Sequence, residues 1–429
     1  MRESISDRLD AELAKLDPAD PHFATDAVDC MLAAGRAAGA SDLHLQPGAD
    51  GLQLKARTDG VLRQIAVFPA EVAGNIVSRL KVRAELLTYH TDRPQEGRIR
   101  TPDGQTEIRV STFPTLHGEK AVVRLFGVSG RYERLDDLGL HDEVFARLRQ
   151  LLAETSGAVL VSGPAGSGKT TTAYACLREL ARETEEARSL VSIEDPIEVA
   201  VAGVAQSQVN PAVGLDLATG LRFLMRQDPE VILVGEIRDR PTAEAAMRAS
   251  LTGHLLLSTF HAGSAAETVS RLLDMGIEPY VLRSGLLGIL CQRLVRRLCR
   301  CATLSEEPDA ALGLPVERVM VPVGCDACGG TGYQGRLLLA EMLTPKRTEL
   351  GRAILSRSDT ATLEHLAVGA GMITRWQRAC WAVESGLTSP AEVRRVLGFS
   401  DTTDGISGDP ARQSVLRRPT GTPSKDRHG

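Results

Sequence analysis

The segment GPAGSGKT at residues 163–170 constrains the fold of this chain more than any other feature. It follows the apolar run AVLVSG and precedes the helical pattern TTAYACLREL, the strand-to-helix setting that a phosphate-binding loop requires. Such a loop turns backbone N–H groups toward phosphate oxygens, and the helix N-terminus adds positive partial charge. The alternative is a glycine-rich turn with no ligand. The expected ligand-binding residues are Gly163, Pro164, Ala165, Gly166, Ser167, Gly168, Lys169, Thr170 and Thr171.

Two residues of this loop have distinct expected tasks. Lys169 supplies positive charge to the β- and γ-phosphates of a nucleotide, and the Thr170 hydroxyl reaches Mg²⁺. The predicted ligands are therefore ATP and Mg²⁺.

Short apolar runs alternate with helical patterns after about residue 138. The runs AVLVSG, SLVSIED, EVILVGE and HLLLSTF predict a parallel sheet that helices cover on both faces. Two runs end in acids, Glu194 and Glu236, and the carboxyl ends of neighbouring parallel strands line one crevice. We expect Glu236 to hold Mg²⁺ and Glu194 to activate water, although an acid at a strand end is otherwise often a cap.

A smaller α/β domain is expected before this sheet. Its strand candidates are SDLHLQP, LQLKART and EIRVSTF, and its helix candidate spans residues 70–87. Val72, Ile76, Leu80 and Leu87 are spaced to share one face of that helix. The chain then divides into a short polar segment (1–24), an N-terminal α/β domain (25–130), an ATPase domain (131–298), a cysteine-bearing segment (299–345), a helical module (346–398) and a disordered tail (399–429).

Eight cysteines occur in a chain that shows neither a signal peptide nor an apolar run long enough to span a membrane. A cytosolic location is expected, where thiols stay reduced. Cys299-x-Cys301 and Cys325-x-x-Cys328 suit a tetrahedral Zn²⁺ site, with four reduced cysteines as the alternative. The remaining cysteines lie in helical patterns that favour burial: Cys30, Cys176, Cys291 and Cys380.

The net charge and the aromatic content of the chain disfavour a motor that acts on nucleic acid. The formal net charge is −5 and aromatic residues make up 3% of the chain. A basic surface and aromatic stacking platforms are the usual features of nucleic-acid-binding proteins. No nucleic-acid partner is expected.

Longer motifs show a resemblance to a known family. The chain resembles the type II secretion and type IV pilus assembly ATPases over about residues 40–398. The resemblance implies a RecA-like P-loop core, a smaller PAS-like N-terminal domain and a cysteine-bearing C-terminal extension. It also implies a hexameric cytoplasmic motor, peripheral on the inner membrane, that acts on a membrane platform protein. The stretches that carry it are ASDLHLQP, DGVLR, RPQEGRI, RVSTFPTLHGEK, GPAGSGKTTT, SIEDPIE, LRFLMRQDPEVILVGEIRD, TGHLLLSTFHAGSA and QRLVRRLC.

The resemblance also assigns roles to single residues. The stretch IEDPIE matches the family's Asp box, which implies Glu194 as catalytic base with Asp195 and Glu198 as supports. Glu236 matches the Walker B glutamate, and Arg238 is expected to brace the acids beside it.

Two histidines and two arginines complete the implied site. His254 and His261 match the His box and would sense the γ-phosphate or position water. Arg98 and Arg109 of the N-terminal domain would neutralise charge on the γ-phosphoryl group when the domains close.

Two alternatives to an assembly motor remain open. A pilus-retraction ATPase is related, but such relatives generally lack the cysteine module. A non-hydrolysing nucleotide-gated adaptor is disfavoured because Lys169, Glu194 and Glu236 are all present. The first cysteine pair is C-x-C where the family usually has C-x-x-C. About 24 residues precede the first domain, so the larger docking module of many relatives is expected to be absent.

Overall fold

The computed structural model describes residues 9, 11–99, 108–125, 132–183, 188–345 and 349–399, together with the backbone of residues 100 and 107. The first eight residues, residues 126–131 around the predicted boundary between the first two domains, and the predicted tail from residue 400 lie outside this range. No helix within the described residues combines the length and the apolar character needed to cross a membrane.

The N-terminal domain is a six-stranded antiparallel sheet with two helices packed on it, in the strand order β3-β2-β1-β6-β5-β4. Apolar residues of both helices and of the sheet form one core. Its elements are α1 (Phe23–Ala37), β1 (Asp42–Gly48), β2 (Gly51–Thr58), β3 (Val61–Phe68), α2 (Ala70–Arg83), β4 (Gln95–Arg100), β5 (Glu107–Thr115) and β6 (Gly118–Leu125).

Helix α2 is shorter than the sequence pattern predicted. Val72, Ile76 and Leu80 are buried as expected, whereas Leu87 lies beyond the helix end and is 46% exposed. Glu85 adopts φ of 59°, a left-handed conformation that a continuing helix excludes. The assignment of Leu87 to the buried face was therefore wrong.

The main sheet has seven strands in the order β15-β12-β7-β11-β10-β8-β9. The six strands β7 to β12 run parallel to their neighbours, and β15 pairs antiparallel with β12. The strands are β7 (Gly157–Ser162), β8 (Leu190–Glu194), β9 (Ala205–Gln208), β10 (Val231–Ile237), β11 (Leu255–Phe260), β12 (Leu286–Leu298) and β15 (Tyr333–Leu343); a small separate ribbon contains β13 (Thr303–Leu304) and β14 (Met320–Val321).

Alternate residues of the central strands enter two different cores. Ile232 and Leu256 pack into one core, and the adjacent Leu233 and Leu257 pack into the other. Both faces of the sheet are therefore covered, which explains the continuous apolar runs in the sequence. The helices are α3 (Asp142–Leu152), α4 (Lys169–Glu183), α5 (Leu217–Leu224), α6 (Arg240–Leu251), α7 (Ala265–Asp274), α8 (Pro279–Gly285), α9 (Glu349–Leu355), α10 (Thr360–Gly369), α11 (Arg375–Glu384) and α12 (Pro390–Leu397).

Strand β12 corrects one prediction about the cysteines. Cys291 lies in this strand and is fully buried, so its assignment to a helix was wrong while its predicted burial is confirmed. Cys176 is buried on α4, and Cys30 and Cys380 are half-buried on α1 and α11.

The N-terminal domain contacts the edge strand of the main sheet. The carboxylate of Asp59, in the turn between β2 and β3, accepts a hydrogen bond of 3.1 Å from the backbone N–H of Gly335. Its other oxygen lies 3.6 Å from Nε of Arg336. This contact joins the domain to β15, close to the cysteine segment.

Candidate nucleotide site

The phosphate loop connects β7 to α4 and packs tightly on itself. Gly163 adopts φ of 150°, and a Cβ atom there would lie 2.4 Å from Ser167 Oγ and 2.6 Å from the carbonyl oxygen of Gln292. Only glycine fits this position. Helix α4 begins at Lys169, so the unpaired backbone N–H groups of its first turn lie next to the loop.

The Lys169 ammonium group lies inside the loop. Its Nζ donates to the carbonyl oxygens of Gly163 and Pro164, each at 2.9 Å. Both acceptors are neutral, and burial lowers the pKa of Lys169, opposed in part by the nearby carboxylate of Glu236. A phosphate anion would stabilise this half-buried charge, so the loop fits the predicted ligand.

Gln292 braces the loop from β12. Its side chain is fully buried, accepts from Thr172 Oγ1 at 3.0 Å and donates from Nε2 to the Ser167 carbonyl at 2.8 Å. Gln292 was not predicted from the sequence as part of the site. A polar side chain in the otherwise apolar run LLGILCQ was the available signal, since buried amides require partners.

Glu236 follows the apolar part of β10, at the same edge of the sheet as the phosphate loop. Its carboxylate is 2.5 Å from Nε of Arg238, which places Arg238 against this acid. Gly235, one residue earlier, lies close to the backbone of Glu194, so β8 and β10 bring both acids to one crevice.

Glu194 is almost fully enclosed. It is 3% exposed, and Tyr174 donates from its hydroxyl to Oε2 at 2.5 Å. Ser192 and Gln206 donate to Oε1 at 2.6 and 3.1 Å. Both carboxylate oxygens therefore have protein donors in this arrangement.

Glu198 lies four residues further along and is solvent-accessible. Surrounding protein still desolvates the carboxylate and raises its pKa, while Arg109 and Arg124 act in the opposite direction. Its backbone N–H donates to the Tyr174 hydroxyl at 3.0 Å. Of the two glutamates in IEDPIE, Glu198 is the one that solvent reaches.

Three arginines form a row across the N-terminal sheet. Arg98 of β4 lies opposite Arg109 of β5, which lies opposite Arg124 of β6. Directly opposed like charges destabilise a sheet unless anionic groups lie nearby, and Arg109 and Arg124 lie close enough to Glu198 to oppose the rise in its pKa. Arg124 was missed from sequence, because its place in the row depends on strand register; its Nε also donates to Asp42 at 3.1 Å.

The two predicted histidines lie at opposite ends of β11. His261 follows the strand at the phosphate-loop edge, where its carbonyl accepts from Arg271. His254 precedes the strand, with Nδ1 at 3.1 Å from the Ala249 carbonyl. The two histidines are seven residues apart along extended chain, a separation of about 23 Å. His254 therefore lies at the end of β11 away from the phosphate loop, and its expected role in sensing the γ-phosphate or positioning water stays a prediction.

The four predicted cysteines come together between β12 and β15. Their Sγ atoms all lie within 4.8 Å of one another. Three of the sulfur pairs are separated by 3.7 to 3.9 Å, close to the ~3.8 Å expected for thiolates around tetrahedral zinc. The backbone N–H groups of Cys325 and Gly332 donate to the Cys328 sulfur at 3.1 Å. The C-x-C spacing of the first pair is thus compatible with a four-thiolate metal site.

Comparisons with known proteins agree with this geometry. The sequence pattern of the family described as "Type II/IV secretion system protein" matches residues 19–395. The chain is 40% identical over 384 residues to the type IV pilus assembly ATPase TfpB of Acinetobacter baylyi, covering 86% of this chain and 65% of that protein. It is 37% identical over 365 residues to the type IV pilus assembly ATPase PilB of Thermus thermophilus, covering 82% and 41%. It is 40% identical over 359 residues to the type II secretion system protein HxcR of Pseudomonas aeruginosa, covering 83% and 74%.

Solved structures show the same fold. The ATPase DotB of Legionella pneumophila aligns with a TM-score of 0.64 at 22% identity, covering 89% of this chain and 97% of that one. The pilus retraction motor PilT with bound ADP aligns with a TM-score of 0.56 at 25% identity, covering 85% and 95%. The predicted α/β ATPase fold, with its cysteine cluster toward the C-terminus, is confirmed.

Proposed function

Because this chain belongs to the type II/IV secretion system protein family, we propose that it hydrolyses Mg-ATP as a hexameric motor that powers assembly of a type II secretion pseudopilus or a type IV pilus. The observation that carries the proposal is the convergence of the phosphate loop, Glu236 and Glu198 at one edge of the main sheet. The chain spans 41% and 65% of the PilB and TfpB sequences that it matches.

Each group at the site has a proposed task. The loop N–H groups and Lys169 bind the phosphates, and Thr170 with Glu236 holds Mg²⁺, which would neutralise charge on the phosphates. Burial raises the pKa of Glu198, and the positive charges of Arg109 and Arg124 oppose that rise, so both arginines lie near the acid that would face the attacking water. With Arg98 they would stabilise charge that develops on the γ-phosphoryl group.

We assign water activation to Glu198 rather than to Glu194. A general base must reach the water with a free oxygen, and both oxygens of Glu194 already accept hydrogen bonds from the protein. Glu194 would then anchor the loop that carries Glu198. His261 remains a candidate for contact with the γ-phosphate because it shares the same sheet edge.

We retain the domain boundaries at 25–130, 131–298, 299–345 and 346–398, and note that β15 of the cysteine segment completes the sheet of the ATPase domain. In a ring, closure of the N-terminal domain on bound ATP would move a platform protein at the inner membrane.

The proposed motor is tested by steady-state ATPase assays on purified protein with its mass measured by light scattering. We expect Mg-dependent phosphate release whose rate per chain rises as the protein assembles toward a hexamer. A monodisperse hexamer without Mg-dependent turnover would support the nucleotide-gated adaptor instead. In a strain that lacks this chain, loss of pili or of secretion is expected, and excess pili would indicate a retraction motor.

We also propose that the four cysteines hold a structural zinc ion. Purified protein is expected to contain about one Zn²⁺ per chain, and Cys301→Ser should remove the metal and lower the melting temperature. Cys380→Ser is the matched control, since this half-buried cysteine lies outside the cluster. Protein that is metal-free as isolated, and whose melting temperature zinc does not raise, would leave four reduced cysteines as the correct interpretation.

A further inference from the structure

We infer that Tyr174 is a positioning residue for hydrolysis, which fixes the backbone of Glu198 relative to the phosphate loop. The inference rests on the proposed function, because it concerns the carboxylate that would activate water. Tyr174 was not singled out by its sequence context, TTAYACL, where it resembles an ordinary core position of a helix.

The tyrosine is attached rigidly to the phosphate loop. It lies on α4, which begins at Lys169, so one and a half helical turns separate the two residues. The side chain is 4% exposed and packs in the core on that face of the sheet. Movement of the loop therefore moves the Tyr174 hydroxyl with it.

The hydroxyl connects two residues of the IEDPIE stretch. It donates to Glu194 Oε2 at 2.5 Å and accepts the backbone N–H of Glu198 at 3.0 Å. The Glu194 carboxylate fixes the direction of the hydroxyl proton, which leaves a lone pair for the N–H group. Burial raises the pKa of Tyr174 and the Glu194 carboxylate raises it further, so the hydroxyl keeps its proton.

This geometry assigns Glu194 a purpose that its burial otherwise leaves unexplained. Ser192 and Gln206 hold its other oxygen, so the carboxylate is a fixed acceptor rather than a mobile base. Glu194 orients the hydroxyl of Tyr174, and that hydroxyl holds the backbone N–H of Glu198. The water-facing acid is thereby tied to the element that binds the phosphates.

Tyr174→Phe removes the hydroxyl and preserves the ring that packs in the core. We expect kcat to fall about 10- to 100-fold, while KM for ATP changes less than about twofold, because the phosphate loop itself is unaltered. A matched control is Tyr333→Phe, which removes another buried hydroxyl bond, 2.6 Å to Ser389 Oγ, away from the phosphate loop. Tyr333→Phe should lower the melting temperature about as much as Tyr174→Phe does, and it should keep the wild-type kcat.

A double-mutant cycle separates positioning from a purely structural role. If Tyr174 acts through Glu198, Tyr174→Phe should lower kcat by less than about twofold in a Glu198→Gln background. Fully additive losses would overturn the inference, as would wild-type kcat in Tyr174→Phe. If the wild-type protein shows no ATP turnover that is lost in Lys169→Ala, both the proposed function and this inference fail. If that turnover is present and only the results for Tyr174→Phe disagree, this inference alone fails.

Discussion

The Lys169→Ala variant is expected to lose ATP hydrolysis by a factor of about 10²–10³ or more, and to bind ATP more weakly. The ammonium group lies within the loop on two neutral carbonyl oxygens, 2.9 Å from each, where a phosphate would be its charge partner. Removing it leaves the loop backbone in place but takes away the cation closest to the β- and γ-phosphates. Phosphate release at saturating Mg-ATP, together with equilibrium binding of a fluorescent ATP analogue, measures both effects.

Lys15→Ala is a suitable control, because Lys15 is an exposed lysine whose side chain pairs with Glu12 at 2.7 Å. This variant should keep the wild-type rate and affinity. Unchanged hydrolysis in Lys169→Ala would mean that turnover occurs elsewhere or comes from a contaminating enzyme. The assignment of residues 163–171 as the nucleotide site would then fail.

Glu198→Gln and Glu194→Gln are expected to lower activity by different routes. Glu198→Gln should retain the melting temperature and ATP affinity of the wild type while kcat falls about 10²–10⁴-fold, since a base that accepts the water proton is lost. Glu194→Gln places an NH₂ group among three donors, from Tyr174, Ser192 and Gln206. It should therefore cost about 1–3 kcal/mol of stability, in addition to any loss of kcat.

Thermal unfolding and single-turnover hydrolysis of both variants distinguish the two glutamates. The sequence hypothesis places the base at Glu194 and predicts a stalled but stable Glu194→Gln protein. A stable, ATP-bound and inactive Glu194→Gln beside an active Glu198→Gln would restore that hypothesis. Glu96→Gln, a change of an exposed glutamate on β4, is the control for loss of one carboxylate.

Strands with continuous apolar runs and strands with alternating patterns were both predicted from the sequence, since SDLHLQP, LQLKART and EIRVSTF form β1, β2 and β5. AVLVSG and EVILVGE became β7 and β10 as expected, because both faces of these strands are buried. The segment around Cys291 was predicted as helical, but the run LLGILCQRLVRRL forms β12, because an apolar run of this kind does not by itself distinguish a helix from a strand. Tertiary pairing with β7 and β15 decided the outcome.

The sequence predicted which residues belong to the candidate site better than it predicted how they are arranged. The phosphate loop and the acidic strand ends came directly from local patterns. The burial of Glu194, the row that includes Arg124 and the distant position of His254 depend on hydrogen-bond partners, strand register and strand length. Those properties appear only once the chain is folded.

Strand β12 also has a mechanical consequence. Gln292 is hydrogen-bonded to the backbone of the phosphate loop, and Cys299 of the cysteine cluster lies seven residues later, directly after the end of the same strand. An extended backbone of that length, about 23 Å, cannot stretch without breaking its ladder of hydrogen bonds. In the proposed motor, a load applied at the cysteine cluster would therefore pull on the phosphate loop, so the rate of each ATPase cycle would depend on the opposing force.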